Sequence, residues 1–119
     1  MSAGSRPAPA QQQRWAAIDP NSESSSPVVW GPTEDEARQR AVEACKRLSK
    51  TCANGPASTP DMKEVFAVMC CTQPRVGCAA SAAANRREAL KNVQEMFAGA
   101  GYKDCSVRHY MSAGTGRRR

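Results

Sequence analysis

The sequence predicts an α+β domain in which two helices pack on a small, mostly antiparallel sheet and disulfides hold the whole together. Three observations predict it. Short apolar runs of strand length alternate with two capped amphipathic segments. Six cysteines are spread over only 119 residues. Large aromatic side chains are few (Trp15, Trp30, Phe66, Phe97, Tyr102, Tyr110), so the interior must rest on Ala, Val, Met and Cys, a thin core of the kind that covalent cross-links reinforce. The chain suits one domain, because two pieces would each be too small to bury an adequate core.

Residues 1 to 14, rich in Ala, Pro, Gln and Ser, carry no hydrophobic periodicity and are expected to be a disordered N-terminal segment. Their polar opening is expected to follow a removed export signal. Trp15 to Ile18 reads as a first strand and Val28 to Trp30 as a second, joined by the turn-rich DPNSESSSP into a hairpin with a loose loop. The next segment, GPTEDEARQRAVEACKRLSK, is a helix. Thr33 and Glu36 form a capping box, and Glu34 and Asp35 complement the positive helix end. Ala37, Ala41, Ala44, Cys45 and Leu48 make its apolar stripe.

The Gly, Pro and Ser of ANGPASTPDMK predict a loop. Val65 to Cys71 and Val76 to Ala82 then read as a hairpin around Thr72-Gln73-Pro74-Arg75, with proline confined to the turn, where no ladder amide is needed. A second helix starts at Asn85, with Glu88 three residues on. Ala89, Val93, Met96 and Phe97 form its stripe and Gly99 its left-handed stop. Cys105 to Met111 makes the last strand, and residues 112 to 119 are expected to be a disordered basic tail. The single α+β domain is thus placed at 15 to 111. Aligning the helix caps sets Thr33, Glu36, Ala37, Ala41 and Cys45 opposite Asn85, Glu88, Ala89, Val93 and Phe97, which suggests an internal duplication.

The net charge of +6 is concentrated at the ends. Between Trp15 and Met111 twelve Lys or Arg face eleven Asp or Glu, so basicity argues for solvated tails rather than specific nucleic-acid binding. No apolar run approaches the length of a membrane span. No cofactor is expected, because neither a glycine-rich phosphate loop nor a serine elbow is present.

The cysteines invite three readings. Zinc needs short paired spacings, and the adjacent Cys70 and Cys71 with Cys78 do not aim their sulfurs at one tetrahedral centre. Thioredoxin-like chemistry needs a C-x-x-C at a helix start, which is lacking. A Cys105 and His109 pair, four apart on one strand face, would stand about 13 Å apart by strand rise, beyond proton-transfer reach, so the sole histidine is expected to be non-catalytic. Disulfides remain. Cys45 with Cys52 is the first pairing expected. The rest pair either as Cys70 with Cys78 and Cys71 with Cys105, or as Cys70 with Cys105 and Cys71 with Cys78, since neighbours in sequence cannot easily bond each other.

The W-A-A-I start, the EAR...AVEAC helix with a following cysteine, the cysteine-bearing hairpin, and the EAL helix before a C-x-V strand together resemble a bacterial family. It is a secreted domain of unknown function with a W-x-A-I-A type first strand and a repeated A-L-x-x-C...C unit. The chain departs from that pattern at Asp19, where the first strand usually continues, and at Val93 or Phe97, where the second helix cysteine would stand. The resemblance implies export and a compact α+β fold without established catalytic residues. In size and cysteine content the chain is also similar to periplasmic immunity proteins that neutralise peptidoglycan-cleaving toxins of type VI secretion.

These readings converge on a non-enzymatic periplasmic or secreted binding protein whose partner is a protein, such as a cell-wall amidase toxin. Gln73, Pro74 and Arg75 at the clamped turn are the expected contact residues, because a rigid turn loses little entropy on binding. The ANGPASTPD loop is the alternative contact segment. A secreted effector acting on a host target through its surface and basic tails is the alternative function.

Overall fold

The computed structural model describes residues 14 to 119, so the expected disordered segment lies outside the described residues except for Arg14. The elements are β1 (Trp15–Ile18), β2 (Val29–Gly31), α1 (Glu34–Leu48), β3 (Ala57–Thr59), β4 (Val65–Gln73), β5 (Gly77–Ala83), α2 (Arg86–Gly99) and β6 (Lys103–Ser112). They form two three-stranded sheets, ordered β2-β1-β3 and β5-β4-β6, and every strand pair is antiparallel. The α+β class holds, while the one small sheet that was expected is two, each with its own helix.

The central strands explain the division. In β1 and β4 the buried residues are consecutive, not alternating, so both faces of each central strand are covered. Ala16 and Ile18 point to an inner face, where they meet Val28, Phe66, Val68, Ala80, Met111 and Ala113 from both halves of the chain. Their neighbours point outward: Ala17 packs against Ala37 and Ala41 of α1, and Ala67, Met69 and Cys71 pack against Ala89, Val93 and Phe97 of α2. The layers therefore run helix, sheet, sheet, helix. Phe66, fully buried between the sheets, contributes about 2–3 kcal/mol of burial.

Both helices start as their sequences dictate. Thr33 Oγ1 accepts from the Glu36 amide and Asn85 Oδ1 from the Glu88 amide, each from an extended cap residue. The stripes are narrower than their periodicity suggests, for Leu48 and Met96 lie at the edge of the apolar arc and are each 53% exposed. Gly99 closes α2 as its last helical residue, and the left-handed position is Gly101, with φ +80°.

The duplication extends through the strands in register. Each half is strand, strand, helix, strand, with the first strand central. The pairs Trp15↔Gly31 and Ala16↔Thr59 in the first half correspond to Val65↔Ala83 and Phe66↔Met111 in the second. The first strand is thus offset by 50 residues and the other elements by 52, so the second hairpin is two residues longer. At one matched position the halves differ in packing distance. A Cβ on Gly31 would stand 2.8 Å from the Ala37 backbone nitrogen, whereas Ala83 carries its Cβ, so α1 lies closer to its sheet. Ala41 in α1, where α2 has Val93, fits that closer approach.

Residues 112 to 119 were expected to be a disordered basic tail, and they are folded. Ser112 ends β6, Ala113 is fully buried, and the chain turns at Gly116 (φ +73°) so that Met111 bridges Arg118 and the Arg119 amide donates to Tyr110 O. Trp30 Nε1 donates to Ala113 O at 2.8 Å, and Arg14 Nη2 donates to Gly114 O at 3.3 Å. Small residues make this possible: Gly114 lies closer to the Met62 carbonyl than a side chain would allow, and Gly116 turns with a left-handed backbone against the Trp30 ring. The segment contains almost no apolar side chain, and backbone hydrogen bonds hold it.

Candidate binding site

The β4–β5 hairpin is fixed on both sides of its central strand. Cys70 pairs in register with Cys78 on β5, and Cys71 with Cys105 on β6; each pair is joined by a disulfide, with Cα separations of 4.1 and 3.9 Å. Because consecutive strand residues face opposite sides, the two bridges lie on opposite faces of the sheet. This selects the first of the two expected schemes. Cys45–Cys52 also forms, joining the last turn of α1 to the segment after it. Phe97 of α2, which matches Cys45, stacks edge-on against Tyr102 at 5.2 Å, so an aromatic contact fastens the end of α2 to the segment after it.

Beyond the bridges the tip projects into solvent, and Thr72, Gln73, Pro74, Arg75 and Val76 are all exposed, Val76 by 59%. Arg75 lies over the Tyr102 ring at 5.6 Å. A Cβ on Gly77 would come within 2.9 Å of the same ring, so glycine lets Tyr102 lie flat along the base of the tip. Beside the tip is an open cleft of about 510 Å³ lined by Ser22, Thr51, Cys52, Val76, Cys78 and Tyr102, among others. One wall comes from the β1–β2 loop and the α1–β3 connection, the other from the equivalent β4–β5 tip and α2–β6 connection. A left-handed Asx residue stands near each of these walls, Asn54 (φ 57°) in the α1–β3 connection and Asp104 (φ 56°) at the start of β6.

The loop that supplies the first wall is well tied down. Asn21, fully buried, accepts from the Glu23 and Ser24 amides and donates to Ser26 Oγ. The exposed Glu23 accepts from the Ser49 hydroxyl and the Lys50 amide, which hold its carboxyl below the usual range. Arg108 of β6 reaches across to donate to Ser22 O at 2.9 Å.

Asp19, the departure noted at the end of the first strand, is fully buried beside Cys45 and Cys52, with ligand atoms within 4.8 Å of one another. The disulfide occupies both sulfurs, and the Asp19 carboxylate accepts from the amides of Asn54 and Gly55. Burial raises its pKa against those two hydrogen bonds. The group organises the turn into β3.

His109 differs from its expected place on one strand face with Cys105. A β-bulge falls between Val68 and Met69, which pair with His109 and Val107, so Arg108 is an extra residue in β6. The bulge reverses the alternation, sending Cys105 to the α2 side and His109 toward the inner face beside Met111. The imidazole is 8% exposed and its Nε2 is unpartnered; burial, then Arg118 and Arg108, lower its pKa. No nucleophile is held against it by a hydrogen bond among the described residues.

The ANGPASTPD segment, expected to be a loop, contains β3, whose Ala57, Ser58 and Thr59 pair with β1. Its backbone is therefore engaged in the sheet over those residues. The tip was legible from its turn residues, whereas Tyr102 and the Ser22–Thr51 wall were not, because they reach the tip through tertiary packing alone. The glycines at 77 and 101 flanking that packing are the only local signal for Tyr102. No protein-family model, curated protein or solved structure matches the chain.

Proposed function

We propose that this protein is a non-enzymatic binding protein of a periplasmic or secreted setting that inhibits a partner hydrolase by placing the Gln73-Pro74-Arg75 tip in its active cleft. The carrying observation is the tip itself: five consecutive exposed residues sit immediately beyond two in-register disulfides on a strand paired on both sides. Such a turn is ordered before binding, so little conformational entropy is lost on contact. Three disulfides fit an oxidising compartment, and no helix is long and apolar enough to cross a membrane.

Among hydrolases, the peptidoglycan-cleaving amidases of type VI secretion are the class we favour, with this protein as their immunity partner. The test is capture from a periplasmic extract with the immobilised protein, followed by hydrolase assays on the captured fraction. Inhibition that is lost in a Q73A/P74A/R75A variant supports the proposal; absence of a captured hydrolase, or inhibition indifferent to the tip, refutes it.

A further inference from the structure

The cleft beside the tip has a charge pattern that the tip alone does not explain. Tyr102 and Val76 give it an apolar wall, and the Ser22 and Thr51 hydroxyl groups a polar one. Four exposed cations are next in sequence to its lining residues or in contact with them. Arg75 covers Tyr102; Lys103 follows Tyr102 and pairs in register with Gln73; Arg108 is bonded to Ser22 O; Lys50 precedes Thr51. None of the four makes an ion pair, for the one such pair among the described residues, Arg40 with Glu36, lies on α1. Two acidic residues, Glu23 and Asp104, belong to the same stretches, so four cations stand against two carboxylates.

From this we infer that the cleft is a seat for an acidic protein segment: carboxylate side chains between Lys50, Lys103 and Arg108, with an apolar neighbour against Val76 and Tyr102. The inference rests on the binding-protein reading and adds the chemistry of the partner. An excess of positive charge beside a concave, partly apolar surface favours an anionic occupant and speeds its encounter. The position supports it too, because connections from the two halves converge here, beside an exposed turn anchored by two disulfides. An acidic rim next to the partner's active cleft would engage the seat while the tip enters the cleft.

The test uses the full oxidised chain, ¹⁵N-labelled, titrated with hexaglutamate, and with hexaglutamine and hexalysine as controls. Hexaglutamate is expected to shift the amides of Thr51, Ala53, Gly77, Cys78 and Tyr102 in a salt-sensitive way. A K50E/K103E variant should bind it about tenfold more weakly. Both lysines are exposed, and an unchanged amide spectrum elsewhere verifies the fold. Shifts confined to Arg117–Arg119, shifts of equal size with hexaglutamine, or no loss in K50E/K103E would overturn the inference. If K50E/K103E left capture of the hydrolase intact while the tip variant abolished it, the cleft assignment would fall and the tip reading would stand.

Discussion

The Cys45–Cys52 and Cys71–Cys105 bridges allow a controlled comparison of what a cross-link contributes. In each pair one cysteine is fully buried (Cys45, Cys71) and its partner more accessible, so replacing both members by alanine removes comparable packing. The pairs differ in sequence separation, 7 against 34 residues. The loop-closure relation gives about 2.4 kcal/mol for the shorter span and about 3.8 for the longer, a difference of about 1.4 kcal/mol. C71A/C105A should therefore be the less stable variant, with a midpoint of thermal unfolding lower by roughly 5 °C. Equilibrium urea titration of each variant, extrapolated with its own slope because an opened loop expands the unfolded chain, measures the difference. Equal stabilities, or C45A/C52A as the weaker variant, would refute the assignment of the stabilisation to the unfolded chain and shift it to native packing around Asp19.

Three further outcomes are expected. Gly31→Ala should cost about 1–3 kcal/mol in urea unfolding, since its Cβ would press on the α1 backbone, whereas Gly99→Ala, with open space around it, should be neutral or stabilising by up to about 1 kcal/mol. For His109, whose folded pKa lies below its ordinary 6.5, the unfolded chain binds a proton that the folded chain refuses. Stability should then fall as pH drops below about 6.5 toward the folded value, and His109→Leu should flatten that dependence in urea midpoints measured from pH 7 to 5. Trp30→Phe removes the hydrogen bond to Ala113 O, which should cost about 1 kcal/mol and speed amide exchange at Gly116 and Arg119 without affecting Val68.

What the sequence disclosed were the features written in local chemistry. Thr33 and Asn85 marked both helix starts because a cap is a contact between residues three apart, and Pro74 marked the tip because proline is excluded from the ladder. The separation into two sheets was hidden: WAAI and VFAVMCC show strands covered on both faces, but which strand covers them is a long-range matter. β3 was hidden for another reason, since three residues between Pro56 and Pro60 are too few to display a period. The His109 bulge is set by how β6 must bend along β4, so one extra residue overturned an alternation that a straight strand would keep. The folded 112–119 segment was invisible to hydrophobic patterning because it is held by its own carbonyls and amides and by polar groups of residues distant in sequence, such as the Trp30 indole.

The placement of the cross-links bears on how the chain reaches its oxidised state. Six cysteines can be joined in 15 ways. Here no bridge passes from one half to the other: Cys45–Cys52 lies before β4, and the other four cysteines lie within β4, β5 and β6. If each half sorts its own thiols the 15 alternatives shrink to 3, and exclusion of an adjacent Cys70–Cys71 bond leaves two. A chain emerging N-terminus first can close its first ring before any competing thiol appears. The halves are then united by side-chain packing, by hydrogen bonds such as those of Trp30 and Arg108, and by the short 60–64 connection, with error in pairing confined to a single hairpin and its neighbouring strand.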